Sequence, residues 1–162
     1  MTPTVAPITP VHHAFDRVVA LFDDYRKHYG QRPSPDVTRA WLHDQLAHHR
    51  LSVAAAVRAD QVCGFITTAI MPASLVLGTA WMIRDLYVVP EYRRSGIANA
   101  LLQQVISDAR AAGAQRLSLQ TETDNVPALT LYTAVGFQPV TGLERLNLNL
   151  APDGAAADGN PP

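Results

Sequence analysis

The 162-residue chain contains a single cysteine, Cys63, which excludes an intrachain disulfide framework and a cysteine-rich zinc site. It also lacks an excess of charge of either sign. With 13 basic residues against 14 acidic ones, no broad surface field would hold nucleic acid or an anionic membrane, and neither partner is expected. No apolar run approaches the length of a membrane span, and the N-terminus lacks the charged-then-apolar pattern of a secretory signal, so a cytoplasmic protein is expected. The six histidines all precede Leu51. The adjacent pairs His12-His13 and His48-His49 would face different ways on a helix, and His43 and His48 miss the i, i+4 face, so no metal site is expected.

What remains is enough apolar sequence for one domain with its own core, over residues 1–150. Residues 151–162 are Ala-, Asp-, Gly- and Pro-rich without large apolar side chains, and are expected to be a disordered tail without chemistry.

Prolines 3, 7 and 10 confine any strand at Val5 to Ile8 to a sheet edge, and Thr9 with Pro10 reads as the start of a helix. Phe15, Val18, Val19, Phe22 and Tyr25 then form one helical stripe, stopped by Gly30 and Pro33. A second helix is expected from Asp36 to His49, with Ser34 or Asp36 near its cap and Val37, Ala40, Trp41 and Leu46 facing inward. Strands Leu51 to Arg58 and Val62 to Ile70, joined at Ala59-Asp60-Gln61, read as a hairpin ended by Pro72. A third strand, Thr79 to Val89, leads into a helix from Ile97 to Ala112 that Gly113 stops. A buried parallel strand at Arg116 to Thr121 and a helix at Val126 to Val135, capped by Asp124 or Asn125 and stopped by Gly136, follow. Phe137 to Val140 and Leu143 to Leu150 are expected as a last pair of strands.

The junction between the third strand and its helix is the most informative segment: Asp85-Leu-Tyr-Val-Val-Pro-Glu-Tyr-Arg-Arg-Ser-Gly-Ile-Ala-Asn-Ala-Leu-Leu102. An apolar strand breaks at Pro90 and passes through a basic turn, Arg93-Arg94-Ser95-Gly96, into the helix. The first N–H groups of that helix, at Gly96, Ile97, Ala98 and Asn99, have no helical acceptor, and the positive end of the helix dipole adds to Arg93 and Arg94. Small residues at Gly96 and Ala98 admit a ligand close to the backbone, so the turn is a candidate pyrophosphate site.

This Arg-x-x-Gly-x-Ala segment resembles motif A of the GNAT acyltransferases, and Asn125-Val-Pro-Ala128-Leu-Thr-Leu131-Tyr132 with Gly136-Phe137 resembles their motif B. The two matches, in order, cover about half the chain. The resemblance implies an α/β (α+β) GNAT fold, with a mixed, mostly antiparallel sheet of six to seven strands flanked by about four helices. It implies acetyl-coenzyme A as cosubstrate, bound at motif A, and N-acetyl transfer as the activity. It further implies that the backbone at Leu86, Tyr87 and Val88 meets the acetyl and pantetheine groups, that Asn125 and Ala128 line the pantetheine arm, and that Tyr132 protonates the departing thiolate.

Spacing puts Ala128, Leu131, Tyr132 and Val135 on one helical face, so the Tyr132 phenol should point inward. For the base, Asp85 and Glu122 stand near the ends of the two strands that should flank the cleft, and either could act directly or through water. Cys63 lies in an apolar strand, which favours direct amine attack in a ternary complex over an acyl-cysteine intermediate.

The stretch Leu21 to Gly30 and the later Trp81 to Pro90 resemble a bacterial GNAT subgroup related to a yeast histone and polyamine acetyltransferase. That likeness makes Tyr25 and Tyr29 candidate acceptor contacts. Arg84, beside Asp85, would repel a polyamine and attract an acceptor that carries a carboxylate or phosphonate. The expected acceptor is a small-molecule primary amine, with a homodimer as the expected assembly. The alternatives are a protein lysine or N-terminal acetyltransferase, and a non-catalytic coenzyme A-binding sensor.

Overall fold

A computed structural model describes residues 2–151, so the expected tail at 151–162 lies, but for Ala151, outside the described residues. Its centre is a five-stranded sheet in the order β1-β2-β3-β4-β5. The strands are β1 (Thr4–Ile8), β2 (Ser52–Arg58), β3 (Gln61–Ala73), β4 (Gly78–Val88) and β5 (Arg116–Ser118). The first four form an antiparallel meander, and β5 returns parallel to β4. The helices are α1 (Phe15–His28), α2 (Pro35–Ala47), α3 (Ile97–Ala111) and α4 (Val126–Val135).

The sheet is buried on both faces by alternation, interrupted once in β3 by a bulge at Cys63, where Ala56 pairs with Gly64 and Val57 with Val62. Val53, Ala55 and Phe65 join the α1 stripe of Phe15, Val18, Val19, Phe22 and Tyr25, while Ala56, Cys63 and Ile66 meet Ile97, Leu101, Leu102 and Val105 of α3. Each such large aliphatic or aromatic side chain contributes about 1.5–3 kcal/mol on burial. β3 and β4 approach each other closely at Gly64, where a Cβ would lie 2.6 Å from the Tyr87 carbonyl and 3.3 Å from Ile97 Cγ2. Glycine at that point lets the start of α3 sit down on the sheet.

Several elements differ from their sequence expectation for identifiable reasons. α1 begins at Phe15 rather than after Thr9, because residues 9–14 close a turn: the His12 N–H donates to Thr9 O at 3.0 Å and the Ala14 N–H to His12 Nδ1 at 3.1 Å. In α2 the inward residues are Thr38, Leu42 and Leu46, while Val37, Ala40 and Trp41 are exposed. Thr38 can be buried because its hydroxyl donates to Asp23 Oδ1 at 2.8 Å. β3 runs through Pro72 to Ala73, since β2 ends its pairing at Thr68 and leaves no neighbour on that side to require the missing N–H.

Two further corrections concern the end of the sheet. β5 is three residues long and only half-buried, shorter than the expected 116–121 strand. Residues 137–150, expected as two strands, pair with nothing among the described residues, so the sheet has five strands instead of six or seven.

Candidate functional site

β4 and β5 touch only at Ala80–Arg116, Trp81–Leu117 and Met82–Ser118, then diverge. The divergence opens a cleft of about 440 Å³, a volume usual for small-molecule sites. It runs between the second half of β4, the start of α3 and the inner side of α4.

β4 supplies main-chain groups to this cleft. The Val89 N–H donates to Cys63 O at 2.9 Å, so in an extended strand the main chain of Tyr87 also turns to β3, while Leu86 and Val88 turn to the open side. The Val88 carbonyl there accepts from Arg93 Nε at 3.0 Å. Of the three expected backbone contacts, Leu86 and Val88 therefore border the cleft and Tyr87 is corrected. Its ring packs on the α1 side, 5.8 Å from Tyr25 and 6.0 Å from Phe65.

At one end of the cleft is the basic turn. Arg94 (φ 59°) and Gly96 (φ 83°) are both left-handed, which turns the chain sharply into α3. The first helical main-chain bond is from Ala100 N–H to Gly96 O, leaving the N–H groups of Gly96, Ile97, Ala98 and Asn99 without main-chain acceptors. All four residues, with Arg93 and Arg94, line the cleft. Ser95 does not; its hydroxyl donates to Tyr92 O and tightens the turn. This set fits a diphosphate: open donors, two guanidinium groups and no side chain on Gly96.

Across from the turn stands α4. Asn125 is its N-cap, with Oδ1 accepting from the Ala128 N–H at 3.3 Å, and the helix thereby directs Asn125, Ala128 and Tyr132 toward the cleft. The Tyr132 hydroxyl has no hydrogen-bond partner among the described residues. Burial, with the charges of Tyr29 and Glu122 adding, pushes its pKa up to about 12, so it holds its proton at neutral pH.

The other end of the cleft is built around Asp85. A bulge in β4 pairs Thr67 with Asp85 and Thr68 with Ile83, leaving Arg84 as the extra residue. The bulge lets both Arg84 and Asp85 line the cleft, although neighbours on a regular strand would face opposite ways. Asp85 is held from behind: Tyr25 donates to Oδ1 at 2.9 Å and Thr67 to Oδ2. Burial, and then the Asp85 charge and hydrogen bond, push the Tyr25 phenol far above its ordinary value, so it stays a neutral donor. Tyr25 thus supports the site from the core and is not itself on the cleft wall, whereas Tyr29, 5.1 Å from it ring to ring, is. Glu122 stands off the wall, within electrostatic reach of Tyr25, Tyr29 and Tyr132.

Arg84 has no acidic partner among the described residues; its Nη1 meets only Met82 Sδ, at 3.6 Å. Cys63 is fully buried under α3, away from the cleft, and burial pushes its thiol up. Thr67 went unread in the sequence, where it is one polar residue in an apolar run with no spacing signal toward Asp85.

Comparison with known proteins bears directly on this arrangement. A family model described as the acetyltransferase (GNAT) family matches residues 15–137. An uncharacterized N-acetyltransferase of Bacillus subtilis, YhfO, is 30% identical over 133 residues, covering 82% of this chain and 89% of its own. A crystal structure of a probable acetyltransferase superposes with a TM-score of 0.86 at 28% identity, over 93% of this chain and 99% of that one. A protein of Clostridium acetobutylicum described as a predicted acetyltransferase, solved with acetyl-CoA, shares the fold at a TM-score of 0.69 and 18% identity, over 90% and 96% of the two chains. The family match begins where α1 begins and ends just past the glycine that stops α4, and so encloses both walls of the cleft. The chain belongs to the GNAT acetyltransferases and is an N-acetyltransferase whose acetyl donor is acetyl-coenzyme A.

Proposed function

We propose that this N-acetyltransferase is a cytoplasmic enzyme acting on the primary amine of a small molecule that also carries an anionic group, by direct attack in a ternary complex. One observation carries the reading. A single bulge brings an unpaired guanidinium, Arg84, and a doubly supported carboxylate, Asp85, to the same cleft wall. A free amino group is mostly an ammonium at neutral pH, with about one molecule in a thousand nucleophilic at a pKa near 10. Asp85 offers that ammonium a counter-charge and takes its proton, directly or through water. Arg84 matches a carboxylate or phosphonate in bidentate fashion and disfavours a polyamine.

In the transfer, the amine nitrogen forms its bond to the acetyl carbon as the carbon–sulfur bond breaks, and the second proton that the nitrogen sheds passes through water to restore the Tyr132 phenol. The main-chain N–H groups of Leu86 and Val88 flank the carbonyl, and the proton for the thiolate comes from Tyr132. A phenol near 12 is a weak acid for a free thiolate of about 8.5, but the burial that raises Tyr132 raises a thiolate beside it as well. Cys63, buried and protonated, is unsuited to an acyl intermediate.

A protein N-terminus as acceptor is the rival reading. The N-alpha-acetyltransferase 30 of Schizosaccharomyces pombe is 41% identical, but over 67 residues that span only 41% of this chain. A screen of small amines and of peptides for acetyl-coenzyme A-dependent thiol release tests the proposal. Turnover of amines bearing a carboxylate or phosphonate supports it; turnover of peptides alone transfers it to the rival, and none at all leaves a coenzyme A-binding sensor.

A further inference from the structure

Tyr29 ends α1. As the C-cap, its N–H donates to Arg26 O at 3.1 Å, and Gly30, at φ 80°, turns the chain away behind it. Its ring packs edge-on against Tyr25 at 5.1 Å and His28 at 5.3 Å, which holds it on the cleft wall. The Tyr29 hydroxyl has no hydrogen-bond partner among the described residues, and no step assigned to Asp85 or Tyr132 uses it.

Its surroundings join the two ends of the proton path. Burial, then the charges of Glu122 and Asp85, hold the Tyr29 phenol above its ordinary 10, so it is a neutral donor at pH 7. Tyr29 and Glu122 are in turn the groups whose charges bear on Tyr132. Tyr29 therefore stands within reach of both the proposed base and the proposed acid, on the wall they share. The other hydroxyls of that wall are placed elsewhere: Thr121 donates to Glu122 Oε2 at 3.4 Å, and Tyr92 closes the turn before Arg93.

With Tyr132 as the acid, a reading on which this relay depends, we infer that the Tyr29 hydroxyl carries the second proton of the acceptor nitrogen to Tyr132. The ammonium gives its first proton to Asp85 and attacks as the free amine. As the carbon–nitrogen bond forms, the nitrogen sheds its second proton, through water, to the Tyr29 oxygen. Tyr29 releases its own proton toward Tyr132, and Tyr132 gives its own to the sulfur as the carbon–sulfur bond breaks. Both phenols end neutral, the products are the amide and the free thiol, and one proton stays on Asp85 until it passes to solvent. Charge is the reason to link these transfers: a phenolate left on Tyr132 would form within reach of the Glu122 carboxylate and partly out of water, and replacing its proton in the same step avoids that pair of negative charges.

Tyr29→Phe tests the relay, because it keeps the ring packing on Tyr25 and His28 and removes only the hydroxyl. The assay uses the carboxylate-bearing amine turned over fastest in the amine screen. kcat should fall about 10- to 100-fold, with the amine KM and the acetyl-coenzyme A Kd unchanged. Tyr132→Phe removes the destination of the relayed proton, so adding Tyr29→Phe to it should slow turnover no further. An unaltered kcat in Tyr29→Phe would overturn the relay. A raised amine KM at unchanged kcat would make Tyr29 an acceptor contact instead, and a loss of acetyl-coenzyme A affinity would make it a support of the fold. A double variant slowed by the product of the two single effects would also overturn it, since independent roles add in free energy. Full turnover in Tyr132→Phe alone would remove the acid itself, and the relay with it, so the two failures are told apart.

Discussion

Tyr25 donates its phenolic proton to Asp85 across 2.9 Å, linking the core of α1 to the cleft wall of β4. The donor is 6% exposed, and its ring is fixed by Phe22 at 5.7 Å and Tyr29 at 5.1 Å. With Thr67 on the other oxygen, the carboxylate is oriented before any acceptor arrives.

Tyr25→Phe keeps the ring packing and removes this donor. Hydrogen bonds to charged groups are worth about 1.5–3 kcal/mol, so kcat/KM for the amine should fall roughly 10- to 100-fold while acetyl-coenzyme A affinity is unchanged. Thr67→Val should behave alike. An equal loss of acetyl-coenzyme A affinity in calorimetry would make the pair a general support of the fold instead.

Gly96→Glu should abolish acetyl-coenzyme A binding. Ligand at a hundredfold excess over its Kd should stabilise the wild type by about 2.7 kcal/mol, and the variant not at all. Because Gly96 has φ 83°, part of any effect is backbone strain. Gly96→Asn, which tolerates that conformation, is the control and should retain measurable binding. Normal thermal stabilisation of Gly96→Glu by the ligand would remove the basic turn from the site.

Tyr132→Phe should leave acetyl-coenzyme A affinity nearly unchanged and reduce turnover by about 10² to 10⁴. Unaltered turnover with the best acceptor would reduce Tyr132 to packing against Phe137.

Asp23 gives a prediction about acid stability. Burial alone would raise its carboxyl, but hydrogen bonds from Thr38 and the Ser34 N–H and the Arg26 guanidinium outweigh burial and hold it below its usual 3.8. A depressed folded pKa means a contribution complete above the unfolded value and lost as pH falls through the folded one. Asp23→Asn should therefore cost about 1–3 kcal/mol at pH 7 in denaturant titrations, with the gap closing below about pH 4. A gap that stays constant down to pH 2 would assign the loss to packing.

The basic turn and the Asn125 cap were legible because their signals are local: a proline break, a glycine at the αL position, an amide at the helix start. The face of α2 was not. Thr38 turns inward only because Asp23, fifteen positions earlier, accepts its proton, which displaces Trp41 to the rim. Thr67 was invisible for the same reason, its partner lying eighteen residues away. The bulge that admits Arg84 to the cleft depends on β3–β4 register, which no spacing within β4 encodes. The alternation at 143–150 reads as a strand, yet these residues form none among the described residues, because a pattern carries no information on which edge would pair with it.

The acceptor is tested most directly by kcat/KM for a zwitterionic amine and for spermidine, each in wild type and in Arg84→Glu. The zwitterion should lead in the wild type, and the order should reverse in the variant, as attraction for one class is lost and repulsion of the other removed. The same ratio of the two kcat/KM values in both proteins would contradict the assignment of Arg84 to the acceptor and return polyamines to consideration.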